Sequence, residues 1–326
     1  MGNLLTVLIC THNRAELLSK TLDSLNQAHR PAGLLVDILI IANACQDATP
    51  QVLQDYAQRA TRKGLLPLRW FDEPQPGKSH ALNRGTSKLA GDWVAIVDDD
   101  HRVAGDFLIQ IERAMQTHLE ASMLCGRILP DWNGSEPAWV HDTGPYRIYP
   151  LPIPRQDFGE VSTEIGIEGP IPGGGNQIMR VDVLRRLGGF STDLGPQGHD
   201  LGGGEDTEYM LRALRMGARL WYVPHIVQFH YVDAARLTLR YLIQKAYKRS
   251  AGTVGLDAGE TTAFSVPIYL YRKLASYFLS VLTALGTARR RFYLVRCAAA
   301  LGEMAGHRRL RHRRGYTIST APSDDA

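Results

Sequence analysis

The stretch WVAIVDDDHRV, residues 93–103, runs from apolar residues directly into three consecutive aspartates. Residues 93–97 are typical of a strand buried in a sheet. Three carboxylates at the end of a strand repel one another, and a divalent cation removes that repulsion because such ions prefer carboxylate oxygens as ligands. The alternative is an exposed acidic turn that leads into the next helix. Spacing by two favours pairing Asp98 with Asp100, with Asp99 as their neighbour.

Segments typical of strands and of helices alternate around this stretch. Strands are predicted at 4–10, 34–42, 66–71 and 93–97, and helices near 17–25, from Thr49 onward, at 79–88 and at 106–118. Thr49 is expected to cap the second helix, with Pro50 in its first turn. Because the strands are apolar on both faces, we predict an α/β fold with a mostly parallel sheet and flanking helices.

In a parallel sheet the carboxyl ends of the strands share one edge, where ligands bind. The sequence therefore places His12, Asn13, residues 43–47 and residues 98–100 along one edge. Residues 130–175 lose periodicity and form a long predicted loop, which is usually functional or disordered. Further elements are predicted at 177–180, 181–187, 205–216 and 220–223, followed by a mainly helical region to about residue 314.

Two further motifs carry charged groups at predicted helix starts. In GGGEDTEYMLR, residues 202–212, Glu205 and Asp206 begin a helix whose dipole favours ionised carboxylates, and such a carboxylate can accept a proton from a hydroxyl group. Lys78 follows Gly77 before another helix, where a phosphate can bind. Both patterns are also compatible with a plain helix cap and a solvated turn. The P-loop pattern is absent, since Asp72 stands five residues before Gly77.

Six segments in this order resemble the family 2 glycosyltransferases of the GT-A fold over roughly residues 4–250. They are TVLICTHNRAELLSKTLDSL, ANACQDAT, GKSHALNRG, IVDDD, GGGNQIMRVDVLRRLGGF and GGEDTEYMLRALRMG. The resemblance implies a nucleotide-diphospho-sugar transferase fold and an inverting, non-processive enzyme. The Gln-x-x-Arg-Trp motif of processive synthases is missing, because Gln228 is followed by Phe-His-Tyr.

The resemblance also implies a role for each matching residue. Asp206 is expected to be the general base, assisted by Glu205, and Mn²⁺ or Mg²⁺ is expected at Asp100 and His230. The expected contacts to the nucleotide sugar are Thr11, Asn13, Asn43, Asp47, Lys78, Asn83, Asp98 and Asp99. The expected contacts to the acceptor are Gly174, Gly175, Asn176 and Glu205, with His199 as a weaker candidate.

Departures from the family pattern leave the donor open. Cys10 and His12 stand where Pro and an aromatic residue are frequent, and Ala42 stands where an aspartate often contacts the base. Two rival functions are a sugar nucleotidyltransferase and a carbohydrate-binding relative that has lost catalysis. A nucleotidyltransferase usually carries a glycine-rich phosphate loop after the first strand, where this chain has THNRAE.

The expected domains are a catalytic domain at 1–250, with a nucleotide-binding half at 1–100 and an acceptor-binding half at 101–250, and a helical extension at 251–326. Residues 236–320 contain 16 Lys or Arg against 3 Asp or Glu, although the whole chain has a net charge of only +4. The extension is expected to be basic and amphipathic, and either to bind an anionic membrane or to cap the catalytic domain with a solvated face.

The expected partners are a nucleotide-sugar donor and a glycan or lipid-linked acceptor, and not nucleic acid, because no reading motif accompanies the basic charge. The four cysteines form no C-x-x-C pair, which indicates neither a zinc site nor a disulfide scaffold. No signal peptide is recognised at the first residues, and the apolar stretch 274–288 is too short to span a bilayer. The expected location is therefore cytoplasmic, at the inner face of the cell membrane.

Overall fold

The computed structural model describes residues 3–193, 204–253 and 266–318. Its first part alternates strands and helices, as the apolar runs predict. These elements are β1 (Asn3–Thr11), α1 (Ala15–Gln27), β2 (Leu34–Asn43), α2 (Thr49–Lys63), β3 (Leu68–Glu73), α3 (Lys78–Thr86) and β4 (Trp93–Ile96). Strand β1 pairs in parallel with β2 and β4, and β2 pairs in parallel with β3.

One detail of the predicted capping is wrong. Ala48, and not Thr49, occupies the cap position of α2, while Thr49 is the first helical residue and Pro50 lies in the first turn as expected. The carboxylate of Asp47 accepts hydrogen bonds from the backbone amide of Thr49, at 3.0 Å, and from its hydroxyl group, at 2.6 Å. An aspartate one residue earlier thus satisfies a free amide at the helix start.

The second part contains strands that the sequence pattern did not predict. Its elements are β5 (His101–Val103), α4 (Phe107–Thr117), β6 (Met123–Asp131), β7 (Thr163–Ile165), β8 (Gln177–Arg180), α5 (Val181–Leu187), α6 (Glu205–Arg215) and β9 (Leu220–Tyr231). Strands β5, β6 and β7 were missed, and β9 is much longer than the predicted 220–223. Consequently His230 lies within a strand, opposite His101 of β5, and does not follow one.

The described strands form one sheet in the order β3-β2-β1-β4-β8-β6-β9-β5, with β7 also paired to β9. Strand β8 is antiparallel to β4 and β6, and β5 and β7 are antiparallel to β9. The predicted parallel arrangement therefore holds for the nucleotide half, and the second half is mixed. The carboxyl ends of β1, β2, β3 and β4 still lie along one edge of the sheet.

Alternation along the strands produces two cores, one on each face of the sheet. On one face Val7 and Ile9 pack with the apolar stripe of α1, formed by Leu18, Leu22 and Leu25. On the other face Leu8 packs with residues of α3, α5 and α6, such as Leu82, Leu184 and Met210. Burial on both faces is what fixes the sheet between two helical layers.

Three longer helices follow β9: α7 (Leu239–Thr253), α8 (Ile268–Leu282) and α9 (Thr287–Ile318). The chain divides into two compact units, Met1–Asp131 with Pro154–Tyr231, and Trp132–Ile153 with Val232–Ala326. The second unit thus begins earlier than the expected boundary at 250, because α7 packs on α9. It also takes Trp132–Ile153 from the predicted catalytic domain, and Arg291 of α9 pairs there with Asp142.

Candidate active site

Side chains at the ends of β1, β2 and β4 line a cavity of about 230 Å³. The cavity lies at the carboxyl edge of the sheet, where the sequence predicted it. Among the predicted site residues it brings together Thr11, Asn43, Lys78, the three aspartates and His230. It is lined by Cys10, Thr11, His12, Arg14, Asn43, Lys78, Ala81, Asp98, Asp99, Asp100 and His230.

The loops after β1 and β2 hold each other in place. Asn13 adopts a left-handed backbone with φ of 54°, and its side-chain oxygen accepts a hydrogen bond from the amide of Gln46 at 2.7 Å. Asp47 accepts one from the amide of Ala15 at 2.9 Å. The side chains of Asn13 and Asp47 were predicted to contact the nucleotide. In the structure they connect the loops after β1 and β2, and neither lines the cavity.

Asn43 lines the cavity, but the polar atoms of its side chain form hydrogen bonds with the protein backbone. Its amide nitrogen donates to the carbonyls of Glu73, at 3.1 Å, and Gln75, at 2.7 Å, and its oxygen accepts from the amide of Gly77, at 2.9 Å. Only 4% of Asn43 is exposed. It therefore orients the loop before α3, which carries Lys78.

Lys78 lies between the aspartate motif, residues 98–100, and the predicted base motif, Glu205 and Asp206. Its Nζ atom lies 3.3 Å from Asp98, 3.7 Å from Asp206 and 4.0 Å from Glu205. Although burial opposes the charge on the lysine, these carboxylates raise its pKa well above the ordinary value. The ammonium group is therefore fixed in its charged form between the two acidic motifs.

The three aspartates have different environments. Burial disfavours the charge on Asp98, but Lys78, His101 and His230 together outweigh this effect, so its pKa is lowered to about 2. Asp99 is only 5% exposed, and burial together with the neighbouring Asp100 raises its pKa to about 6, despite Arg14. The Nη1 atom of Arg14 bridges Asp99 and Asp100, at 2.9 and 2.7 Å.

Two imidazoles face the carboxylates of this motif. Within the described residues, Asp100, His101 and His230 can each offer one ligand atom, and these atoms lie within 4.8 Å of one another. His101 Nε2 is 3.9 Å from both Asp98 and Asp100, and His230 Nε2 is 3.7 Å from Asp100. A donor set of one carboxylate and two imidazoles fits a divalent transition metal such as Mn²⁺.

The other nitrogen of each ring is already bound to the protein. His101 Nδ1 lies 2.6 Å from the side-chain oxygen of Gln228, and His230 Nδ1 lies 2.5 Å from the carbonyl of Tyr231. Because both partners are acceptors, we assign the proton to Nδ1, which leaves a lone pair on each Nε2. Burial is the main cause that lowers the pKa of His230 and favours its neutral form.

His101 is the main residue that the sequence reasoning missed. It directly follows the three aspartates, three residues after Asp98, so its position was visible in the opening stretch. Its orientation was not, because Gln228 comes from β9. Arg14 was likewise not predicted to bind these aspartates.

Glycines allow the predicted base to approach the aspartates. A Cβ atom on Gly174 would collide with the carboxylate of Asp206, and one on Gly175 would lie 2.7 Å from Asp98 Oδ2. Glu205 is 3% exposed, and burial with repulsion from Asp206 raises its pKa. Gly174 and Gly175, which were predicted to bind the acceptor, thus expose only backbone beside the carboxylates of Asp206 and Asp98.

Two predicted binding residues form hydrogen bonds within the protein. Asn83 exchanges two hydrogen bonds with the backbone of Phe190, at 2.9 and 2.7 Å. Asn176 is fully buried, donates to the carbonyls of Arg127 and Ile226, and accepts from Gln228. The side chains of Asn83 and Asn176 therefore already have hydrogen-bond partners in the protein. The weaker candidate His199 lies outside the described residues.

Comparison with known proteins identifies the family of this chain. The sequence profile described as Glycosyl transferase family 2 matches residues 6–188, more than half of the chain. The chain belongs to glycosyltransferase family 2. This glycosyltransferase is 27% identical over 253 residues to the succinoglycan biosynthesis protein ExoM of Rhizobium meliloti, covering 76% of this chain and 72% of that one. It is 25% identical to the glucosyl-dolichyl phosphate glucuronosyltransferase of Haloferax volcanii, covering 59% and 58% of the two chains.

Solved structures place the glycosyltransferase in the GT-A fold. Residues 1–349 of TarS from S. aureus, in complex with UDP, align with a TM-score of 0.54 at 15% identity, covering 95% of this chain and 91% of that one. The chain spans 54% of a longer TarS structure. The mannosyltransferase PcManGT from Pyrobaculum calidifontis, in complex with GDP-Man and Mn²⁺, aligns with a TM-score of 0.50 at 18% identity, covering 97% and 80%.

Proposed function

We propose that this glycosyltransferase moves one sugar from a nucleotide-diphosphate donor to a hydroxyl group of a glycan or lipid-linked acceptor, with inversion at the anomeric carbon. The observation that carries the proposal is the position of Lys78, whose ammonium group lies within 4.0 Å of Asp98, Glu205 and Asp206. It places the predicted base motif, Glu205 and Asp206, next to a lysine that lines the cavity together with Asp98. TarS binds UDP and PcManGT binds GDP-Man, which supports a nucleotide-sugar donor.

Asp206 is the proposed general base. It stands at the start of α6, and its carboxylate lies 3.7 Å from Nζ of Lys78. It takes the proton of the acceptor hydroxyl as the oxygen attacks the anomeric carbon opposite the leaving diphosphate. The O–C bond forms as the C–O bond to the diphosphate breaks, and the electron pair leaves with the diphosphate. Glu205 is proposed to orient Asp206 and to contact the acceptor.

The diphosphate is proposed to lie against Lys78, and Asp98 is proposed to lie nearest the nucleotide ribose. Lys78 supplies a fixed positive charge, which favours the leaving group as its negative charge grows. Asp100, His101 and His230 would hold Mn²⁺ or Mg²⁺, and the ion would supply Lewis-acid assistance to the departing diphosphate. Two imidazoles favour Mn²⁺ over Mg²⁺.

The second unit is proposed to rest on an anionic membrane at the cytoplasmic face. The relative from Haloferax volcanii is named for a dolichyl phosphate substrate, which supports a lipid-linked acceptor here. Helix α8 exposes Phe278, Leu279 and Leu282 by 58%, 61% and 67%. None of the helices in the described ranges is long and apolar enough to cross a bilayer.

The test is a pair of substitutions that separate binding from chemistry. Asp206→Asn should keep the thermal stabilisation by the matching nucleotide sugar with Mn²⁺ while transfer falls by about 10²–10⁴-fold, since a general base contributes that much. Asp100→Asn should lose the metal-dependent part of donor binding. Glu208→Gln, on the same helix and paired with Arg212, is the matched control and should behave as the parent protein. Normal transfer by Asp206→Asn would refute the base assignment.

The same assay separates the rival functions. A nucleotidyltransferase would release pyrophosphate from a nucleoside triphosphate and a sugar phosphate, whereas the proposed enzyme releases a nucleoside diphosphate from a nucleotide sugar. A carbohydrate-binding relative would bind without turnover. Nuclear magnetic resonance of the product reports its anomeric configuration, and retention of configuration would contradict the proposed inversion.

A further inference from the structure

A second cavity, of about 400 Å³, is lined entirely by residues of the second unit and shares no lining residue with the candidate active site. Its walls come from residues 147–152, α7 and α9. A volume in this range is common for pockets that bind small ligands. We call it the basic groove because four cations stand around it: Arg147, Lys245, Arg249 and Arg296.

Within the described ranges, these four cations lack acidic partners. Among the described residues no carboxylate forms an ion pair with any of the four, whereas the neighbouring Arg291 and Lys273 pair with Asp142 and Glu303. All four are exposed at the rim of the basic groove. Four positive charges from three segments therefore converge on one opening, and no carboxylate in the part of the chain that the structure describes pairs with them.

The pKa of Lys245 is affected by this excess of positive charge. Its pKa is lowered, chiefly because partial burial removes water from the ammonium group, and further because Arg236 and Arg249 repel its charge. Arg147 and Arg296 lie over the rings of Tyr149 and Phe292, with 5.1 and 4.9 Å to the ring centroids. A guanidinium group placed against a ring keeps its N–H groups free to bind an anion.

Beneath the cations the groove is apolar. Leu242 is 4% exposed, and Leu151, Pro152 and Val295 complete this part of the lining. An apolar floor below a cationic rim suits a molecule with a hydrocarbon stem and an anionic head. A phospholipid diester carries one negative charge, whereas a terminal phosphate carries about −1.5 to −2 at pH 7, which matches several cations better.

We propose that the basic groove binds a long-chain lipid whose head is a terminal phosphate or diphosphate. The head pairs with the four cations, and the first part of the chain lies on the apolar floor. As a statement about binding the proposal depends only on the second unit. The further statement that this bound lipid belongs to the class of acceptors rests on the proposed function.

The test measures binding to the full chain without metal or nucleotide sugar, so that its outcome does not depend on transfer. Titration calorimetry with dodecyl phosphate below its micelle concentration should show saturable binding. Inorganic phosphate and dodecyl maltoside, which carry the head alone and the chain alone, should each bind at least tenfold more weakly. Equal affinity for inorganic phosphate would overturn the proposal in favour of a free-phosphate site.

Paired variants assign the binding to the groove. Lys245→Gln with Arg249→Gln should weaken dodecyl phosphate binding at least tenfold, and so should Arg147→Gln with Arg296→Gln, which changes different segments if the first pair fails to fold. The matched control is Arg240→Gln with Lys248→Gln, which removes the same charge from the same helix outside the groove. This control should bind within twofold of the parent protein.

Two outcomes contradict the proposal at this stage. An equal loss in the control pair would show that total charge, and not the groove, decides binding. Sedimentation with phosphatidylglycerol vesicles should be the same for the groove pair and the control pair. A selective loss for the groove pair there, without a loss of dodecyl phosphate binding, would assign the groove to diester headgroups instead.

Discussion

His101 and His230 each use one ring nitrogen to face Asp100 and the other to bind the protein. Gln228 must accept from His101, because its own amide nitrogen already donates to Ile96 and Asn176. A fixed tautomer with a lone pair toward the carboxylates is the state that a metal ligand needs. The sequence displayed His101 beside the aspartates but could not show that a residue 127 positions later orients its ring.

We expect Gln228→Leu to weaken Mn²⁺ binding by about 10–100-fold, because the ring of His101 loses its acceptor. The measurement is the free Mn²⁺ signal in electron paramagnetic resonance during titration. Gln228→Glu keeps an acceptor oxygen for His101 but loses the two hydrogen bonds that the amide nitrogen donates, so it should restore only part of the affinity. Gln51→Leu, at an exposed residue of α2, is the control. Unchanged affinity in Gln228→Leu would show that His101 does not bind the ion.

Asp99 should give the metal-free protein a specific pH dependence. Burial and Asp100 raise its folded-state pKa from 3.8 to about 6, so the stability that its neutral form provides is present below pH 4 and lost as the pH rises through 6. The lowered pKa of His230 acts in the opposite direction. Asp99→Asn should therefore gain about 1–3 kcal/mol relative to the parent protein between pH 4 and 7.5.

Urea unfolding in EDTA across that range measures the difference between Asp99→Asn and the parent protein. Using the difference cancels the contribution of His230, which both proteins share. Asp55→Asn, at an exposed residue, controls for removal of a carboxylate. A difference that does not change with pH would mean that Asp99 is charged throughout.

At the scale of elements, the glycines before β8 set the distance between the base and the aspartates. Gly174→Ala should lower transfer at least 100-fold, because its Cβ atom would displace the carboxylate of Asp206. The neighbouring Gly173→Ala is a close control, since its Cβ atom would meet no heavy atom within 4 Å. Both variants should bind nucleoside diphosphate alike, and equal activity of the two would contradict the steric argument.

Asn83 distinguishes a residue that builds the site from one that binds the donor. Its motif position suggested a nucleotide contact, but its side chain joins α3 to the segment after α5. Asn83→Ala should lower the free energy of unfolding by about 1–3 kcal/mol, as expected for two lost hydrogen bonds, and leave nucleotide affinity within about threefold. Arg84→Ala, at the next residue of the helix, is the control. A large loss of affinity without a loss of stability would restore the donor role.

For the whole molecule, local pattern predicted the first half of the fold far better than the second. Strands β1, β2 and β4 were recognisable because they are continuous apolar runs buried between two helical layers. Strand β5 has three residues, and the apolar run of β6 is interrupted by Gly126 and Arg127, so neither shows that signal. Partners far apart in sequence, such as β6 and β9, follow from packing that no local pattern reports.

Membrane attachment is a prediction about the second unit. Changing Phe278, Leu279 and Leu282 to Ser should reduce flotation with phosphatidylglycerol vesicles severalfold, because these exposed side chains of α8 would no longer enter the lipid interface. The control changes three equally exposed residues of the first unit, Leu35, Leu119 and Met216, to Ser. Equal flotation of both variants would show that α8 does not bind the membrane.

Strand β9 has a consequence for how the protein is made. Its residues, 220–231, pair with β5, β6 and β7, and it carries both Gln228 and His230. During translation, β5 and β7 leave the ribosome before their hydrogen-bonding partner exists, and their pairing must wait until residue 231 has been synthesised. The nascent enzyme therefore cannot assemble its two-histidine cluster early, and any ion captured before that moment would lack His230.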